Sequence, residues 1–135
     1  MVKKTITYET FDGVEVTEDF YFNLTKTECT EKNVTTPGGY LELLDKIVKS
    51  KDHARIYKEF KEIVLDAYGV KSADGKRFIK SRELSEEFTQ TLAYDKLMEE
   101  LCTNEGFAGE FINAILPKPD ASPDKPQITV MNTNV

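Results

Sequence analysis

Histidine and cysteine are scarce in this chain: its 135 residues hold one histidine and two cysteines. His53, Cys29 and Cys102 fall at unrelated spacings, which excludes the common zinc signatures. His53 sits at the start of a predicted helix, among Ser50, Lys51 and Asp52, where an exposed first-turn position explains it more simply than a general base. The cysteines lie far apart and outside any Cys-x-x-Cys spacing, a usage that fits free thiols in a reducing, cytoplasmic setting. Cys102, at the end of an apolar run, reads as a small core residue; Cys29 reads as the same or as exposed.

Long apolar runs are missing too. Nothing approaches the ~18 residues of a spanning helix, and the opening MVKKTITYETFDG lacks the apolar stretch of a secretory signal. Neither membrane insertion nor secretion is expected, so the Asn-x-Thr patterns at Asn23 and Asn33 carry no glycosylation reading. An excess of positive charge is absent as well. The net charge is −6 and the pI about 4.9, which argues against sequence-independent nucleic-acid binding and against docking on anionic membranes. No calcium-loop pattern is present. Glu59, Glu62, Glu86, Glu87, Glu99 and Glu100 fall on the polar faces of predicted helices, where charge serves solvation. No catalytic residue, cofactor or metal site is expected.

What is present is the pattern of a globular α+β chain, with 39% hydrophobic and 31% charged residues. Ile6 and Tyr8, then Val14, Val16, Phe20 and Phe22, alternate with polar residues and predict a β-hairpin over 2–23. Register selects its loop. A two-residue turn would put the two apolar sets on opposite faces. A three-residue loop, Phe11-Asp12-Gly13, pairs Thr10 with Val14 and Tyr8 with Val16, so the faces coincide, with Gly13 in the left-handed conformation. Glu18 is then the one polar residue on the apolar face.

About five helices are expected within 25–116. Thr25-Lys26-Thr27-Glu28 is a capping-box pattern. Leu41, Leu44, Ile47 and Val48 mark a second helix. Ile56, Tyr57, Phe60, Ile63, Val64 and Ala67 form the clearest stripe, stopped by Gly69. Leu84 and Phe88 share a face, and a break near Gln90-Thr91 precedes Tyr94, Leu97, Met98 and Leu101. Phe107, Ala108, Phe111, Ile112 and Ile115 form a last helix ended by Pro117. Residues 1–116 therefore read as one domain, and the Pro-rich 117–135 as a flexible, disordered tail. Ile128-Thr129-Val130-Met131 within it is either a docking strand or a frayed end.

Lys76, Arg77, Lys80 and Arg82 cluster within DGKRFIKSRELSEEFTQTLAY (74–94). Asp74, Glu83, Glu86 and Glu87 cancel them, Ser81 suits an N-cap, and Phe78 and Ile79 would anchor the loop to the core. The preceding Gly69 to Lys76 stretch misses the phosphate-binding loop pattern: five residues separate its glycines, Arg77 follows the lysine, and a helix precedes it. A loop and helix cap is the expected role.

Two stretches carry a family resemblance. KKTITYETFDGVEVTEDFYFNL (3–24) and DGKRFIKSRELSEEFTQTLAYDKLMEELCTNEGFAGEFINAILP (74–117) resemble the small tail assembly chaperones of long-tailed phages infecting Gram-positive bacteria. The resemblance implies a non-enzymatic role in the host cytoplasm: binding the tape measure protein, keeping it soluble, and helping the major tail protein polymerise around it. It also implies absence from the mature virion and allows homo-oligomers. Tyr94, Met98, Phe107 and Phe111 are the candidate partner-binding residues, with core filling as the alternative at each. A virion connector or head-completion protein, or an acidic inhibitor of a host protein, is the competing class.

Overall fold

The computed structural model describes residues 1–117. Strands β1 (Val2–Glu9) and β2 (Glu15–Phe22) form the hairpin. Three helices follow, α1 (Lys26–Thr35), α2 (Tyr40–Ser50) and α3 (His53–Ala67). Two short strands come next, β3 (Tyr68–Lys71) and β4 (Phe78–Ile79). The helices α4 (Arg82–Thr89), α5 (Leu92–Thr103) and α6 (Glu105–Ile115) complete the described chain. The architecture is α+β, as the sequence predicts, with six helices among the described residues.

The hairpin register is the predicted one. Tyr8 pairs with Val16 and Glu9 with Glu15, the Thr10 N–H donates to the Val14 carbonyl at 2.8 Å, and Gly13 has φ +81°. The apolar face sinks progressively into the molecule, from exposed Val14 near the loop through half-buried Tyr8, Val16 and Phe20 to buried Ile6 and Phe22. Glu18 finds a partner on that face, accepting a hydrogen bond from the Tyr8 hydroxyl. It is not the one polar residue there: Lys4, opposite Phe20, reaches Glu100 of α5 at 3.1 Å from the same face.

The sheet is larger than the hairpin, and here the structure corrects the sequence reading. α3 ends just before Gly69, as expected, but no loop begins at that glycine. It lies in β3, opposite Tyr21 of β2, and Phe78-Ile79 is a strand rather than a loop anchor, which gives an antiparallel sheet in the order β1-β2-β3-β4. β3 and β4 are too short for periodicity to reveal; β4 pairs with β3 across the 72–77 turn, and distant β2 ties β3 into the sheet.

Helix ends follow local chemistry. The Thr25 hydroxyl accepts from the Glu28 N–H at 3.1 Å while the Glu28 carboxylate accepts from the Thr25 N–H at 2.9 Å, a complete capping box. Ser81 caps α4, and the predicted break falls as expected, with Gln90 closing α4 and Thr91 capping α5.

The helices cover one face of the sheet around an aromatic centre. Tyr68 and Phe88 stack at 4.4 Å and 10°. Fully buried Phe22 meets Phe88 at 5.9 Å and, edge-on, Phe111 at 5.3 Å. Ile63, Val64, Ala93, Leu97 and Ile115 close the core around these rings. Cys102 is not a core residue: it sits on the exposed side of α5, while Cys29 is half-buried. The Pro-rich segment beyond Pro117, including Ile128–Met131, lies outside the described residues.

Candidate partner-binding surface

The four sequence-predicted contact residues lie on α5 and α6, facing inward to different depths. Met98 and Phe111 are 5% and 4% exposed and belong to the core; Tyr94 and Phe107 are half-buried against it. Phe107 packs on Phe111 at 5.4 Å and carries the Lys4 ammonium 4.4 Å above its ring. Tyr94 sits edge-on to Phe88 at 5.4 Å. Its hydroxyl is buried without a hydrogen-bond partner among the described residues, and burial pushes its pKa up to about 12. The structure thus brings Phe107 and Phe111 together and sets Tyr94 and Met98 elsewhere on the same layer.

Exposed apolar surface lies elsewhere. Val34 on α1 is 75% exposed and Leu41 on α2 is 61% exposed. Leu41 rims a groove of about 270 Å³ that also takes in Cys29, Asn33, Tyr40, Leu116 and Pro117. Local folding explains this exposure. The Asn33 side chain accepts from the Tyr40 N–H at 3.0 Å, which fixes the start of α2 so that Tyr40, Leu44 and Ile47 turn inward. The sequence reading took Leu41 as part of the inward stripe. Positions 40, 44, 47 and positions 41, 44, 48 both satisfy helical spacing, so only the neighbouring α1 decides between them. Tyr40 was the residue that reading missed. Its hydroxyl is buried with no partner among the described residues, and burial raises its pKa. A second exposed apolar spot is the hairpin loop, with Phe11 at 78%.

Among the described residues, histidine, cysteine and carboxylate groups form no cluster of three or more that could hold a metal ion. His53 is exposed at the first position of α3, whose N-cap is Asp52. Burial pushes the Cys29 thiol up, away from nucleophilic activation. No helix among the described residues is long and apolar enough to cross a membrane.

The basic cluster is dispersed into structural roles. Lys76 and Arg77 are exposed at the β3–β4 turn, which Asp74 organises by accepting from the Ser72 hydroxyl at 2.7 Å and the Lys76 N–H at 3.0 Å. Lys80 turns the other way and pairs with Glu28 at 2.8 Å. With Lys80 paired to Glu28, the four cations are not all left to serve one anion-binding surface.

A family model described as phage tail assembly chaperone matches residues 1–122. The chain belongs to the phage tail assembly chaperone family. No curated protein and no solved structure matches it. That family is not an enzyme class, and the match spans every described element of this chaperone, from β1 to α6. The Leu41 groove, with Val34 nearby in sequence on α1, is an exposed and largely apolar concavity among the described residues.

Proposed function

We propose that this chaperone binds the tape measure protein of a long-tailed phage of Gram-positive bacteria, keeps it soluble in the host cytoplasm, and assists polymerisation of the major tail protein around it. The observation that carries this reading is the exposed apolar groove at Leu41 on a chain of the chaperone family. A long helical client presents apolar stripes, and a groove between helices accepts such a stripe through a few anchor side chains. The net charge of −6 keeps the loaded complex soluble. The α5–α6 layer contributes through the half-buried rings of Tyr94 and Phe107, backed by Met98 and Phe111. Residues 1–116 act as one unit, with 117–135 as an appended tail. No reaction or cofactor is involved, and the chaperone leaves before the virion matures.

Coexpression with the tape measure protein of the same phage tests this. Soluble yield of the client should rise several-fold with the chaperone and return to baseline without it. Unchanged yield across several client segments would refute the reading. Mass spectrometry of purified virions should find no copies; stoichiometric copies would make the chain a virion component instead.

A further inference from the structure

β1 is an outer strand of the sheet, and its pairing with β2 runs unbroken from Val2 to Glu9. The opposite outer strand, β4, has two residues. Long open edges invite another strand, and proteins usually blunt them. The guard on this edge is Lys96 of α5, whose ammonium donates to the Thr7 carbonyl at 2.7 Å. Register tells which backbone groups the edge offers. Thr10 and Val14 form a hydrogen-bonded pair, and such pairs alternate along an antiparallel ladder. Even-numbered residues of β1 therefore bond to β2, and the N–H and C=O groups of Lys3, Thr5, Thr7 and Glu9 point outward. The Lys96–Thr7 bond lies on that outward side. Alongside runs a groove of about 480 Å³ between β1 and α5, lined by Lys4, Ile6, Lys96 and Glu100 among others.

We propose that a second copy of this chain occupies the edge, β1 against β1 and antiparallel, about a two-fold axis at Ile6, so that two sheets join into one. Centred there, Thr5 faces Thr7 of the second copy and Lys3 faces its Glu9. Odd residues meet odd residues, so each of these pairs exchanges both backbone bonds. Even residues meet even residues, which keeps Lys4, Ile6 and Tyr8 of both copies on the helix-covered face. Centres at Thr5 or Thr7 preserve that parity, but they separate Lys3 from Glu9. Charge complementarity selects Ile6. Glu9 has a further reason to take a lysine: its partner within the hairpin is Glu15, and like charges directly opposite one another are destabilising. Lys3 and Glu9 are both exposed. Lys96 gives up the Thr7 carbonyl to the Thr5 N–H of the second copy. An edge of this length makes a small interface, so the dimer forms across the micromolar range and is independent of what the Leu41 groove binds.

Sedimentation equilibrium of the full chain tests the pairing. The expected result is a monomer–dimer equilibrium that Lys3→Glu weakens about tenfold, Glu9→Lys weakens similarly, and the double reversal Lys3→Glu/Glu9→Lys restores. Thr5→Pro removes an outward N–H and none that β2 uses, so it should abolish the dimer with far-UV circular dichroism unchanged. Should Thr5→Pro not fold, the charge-reversal set decides by itself. A monomer at every concentration overturns the proposal, as does a dimer indifferent to charge reversal or a double variant as weak as the singles. A monomer whose Thr5 and Thr7 amides resist hydrogen exchange gives the edge to the chain's own QITVMNT segment (127–133) and overturns it equally.

Discussion

Gly69 shows how little room the sheet leaves beside its short strands. A Cβ there would come within 2.7 Å of the Phe78 ring and 2.8 Å of the Ile79 carbonyl oxygen. The ring could shift, but the carbonyl belongs to the paired strand β4. Overpacking of this kind costs about 1–3 kcal/mol, more than the entropy that alanine recovers from the unfolded chain. Gly69→Ala should therefore lower the urea-unfolding free energy by about 2 kcal/mol; an unchanged or raised value would show that β4 yields freely. In the sequence this glycine reads as a helix stop, because nothing local says that another strand passes over it. Cys102 misleads for a related reason. It follows Leu101 in an apolar run, yet one residue along a helix turns a side chain by a large angle, and Leu101 alone faces inward.

Between elements, legibility tracked the range of the interaction. The hairpin could be read to the residue because loop length and the period-2 pattern must agree, and both lie within one stretch of chain. The caps at Thr25, Ser81 and Thr91 were legible for the same reason. β3 and β4 were not: both are too short to show an alternating pattern, and the β2 strand that ties β3 into the sheet is remote. Nor was the tie between Lys80, just before α4, and Glu28 in the first turn of α1. Burial works to raise the Glu28 pKa, but the Lys80 ammonium and the Thr25 N–H outweigh it, leaving the carboxyl below its ordinary value of 4.5. A depressed carboxylate stabilises fully above its unfolded pKa and loses that contribution as pH falls through the folded value. Glu28→Gln keeps a capping side chain but loses the charge. The variant should be about 0.5–1 kcal/mol less stable than the parent at pH 7, with the gap closing below about pH 4. A gap that persists in acid would assign the loss to the cap rather than to the Lys80 pair.

Taken whole, the molecule buries Met98 and Phe111, half-buries Tyr94 and Phe107, and exposes Val34 and Leu41. Leu41→Asp, at a site 61% exposed, should shift stability by no more than about 0.5 kcal/mol while reducing the soluble yield of a coexpressed tape measure protein. Phe111→Ala should instead cost about 3–5 kcal/mol of folding free energy. Reversed outcomes would move the binding surface to α5–α6. The four-stranded sheet also has a consequence during synthesis. The hairpin is complete once Phe22 has been made, but the strand that covers the inner side of β2 begins only at Tyr68, after three helices. At ribosomal rates of roughly 5–20 residues per second, each nascent chain spends a few seconds with β2 as well as β1 uncovered. On a polysome translating many copies at once, that interval exposes the growing chain to pairing with its neighbours, and arrival of Gly69 opposite Tyr21 ends it on the β2 side.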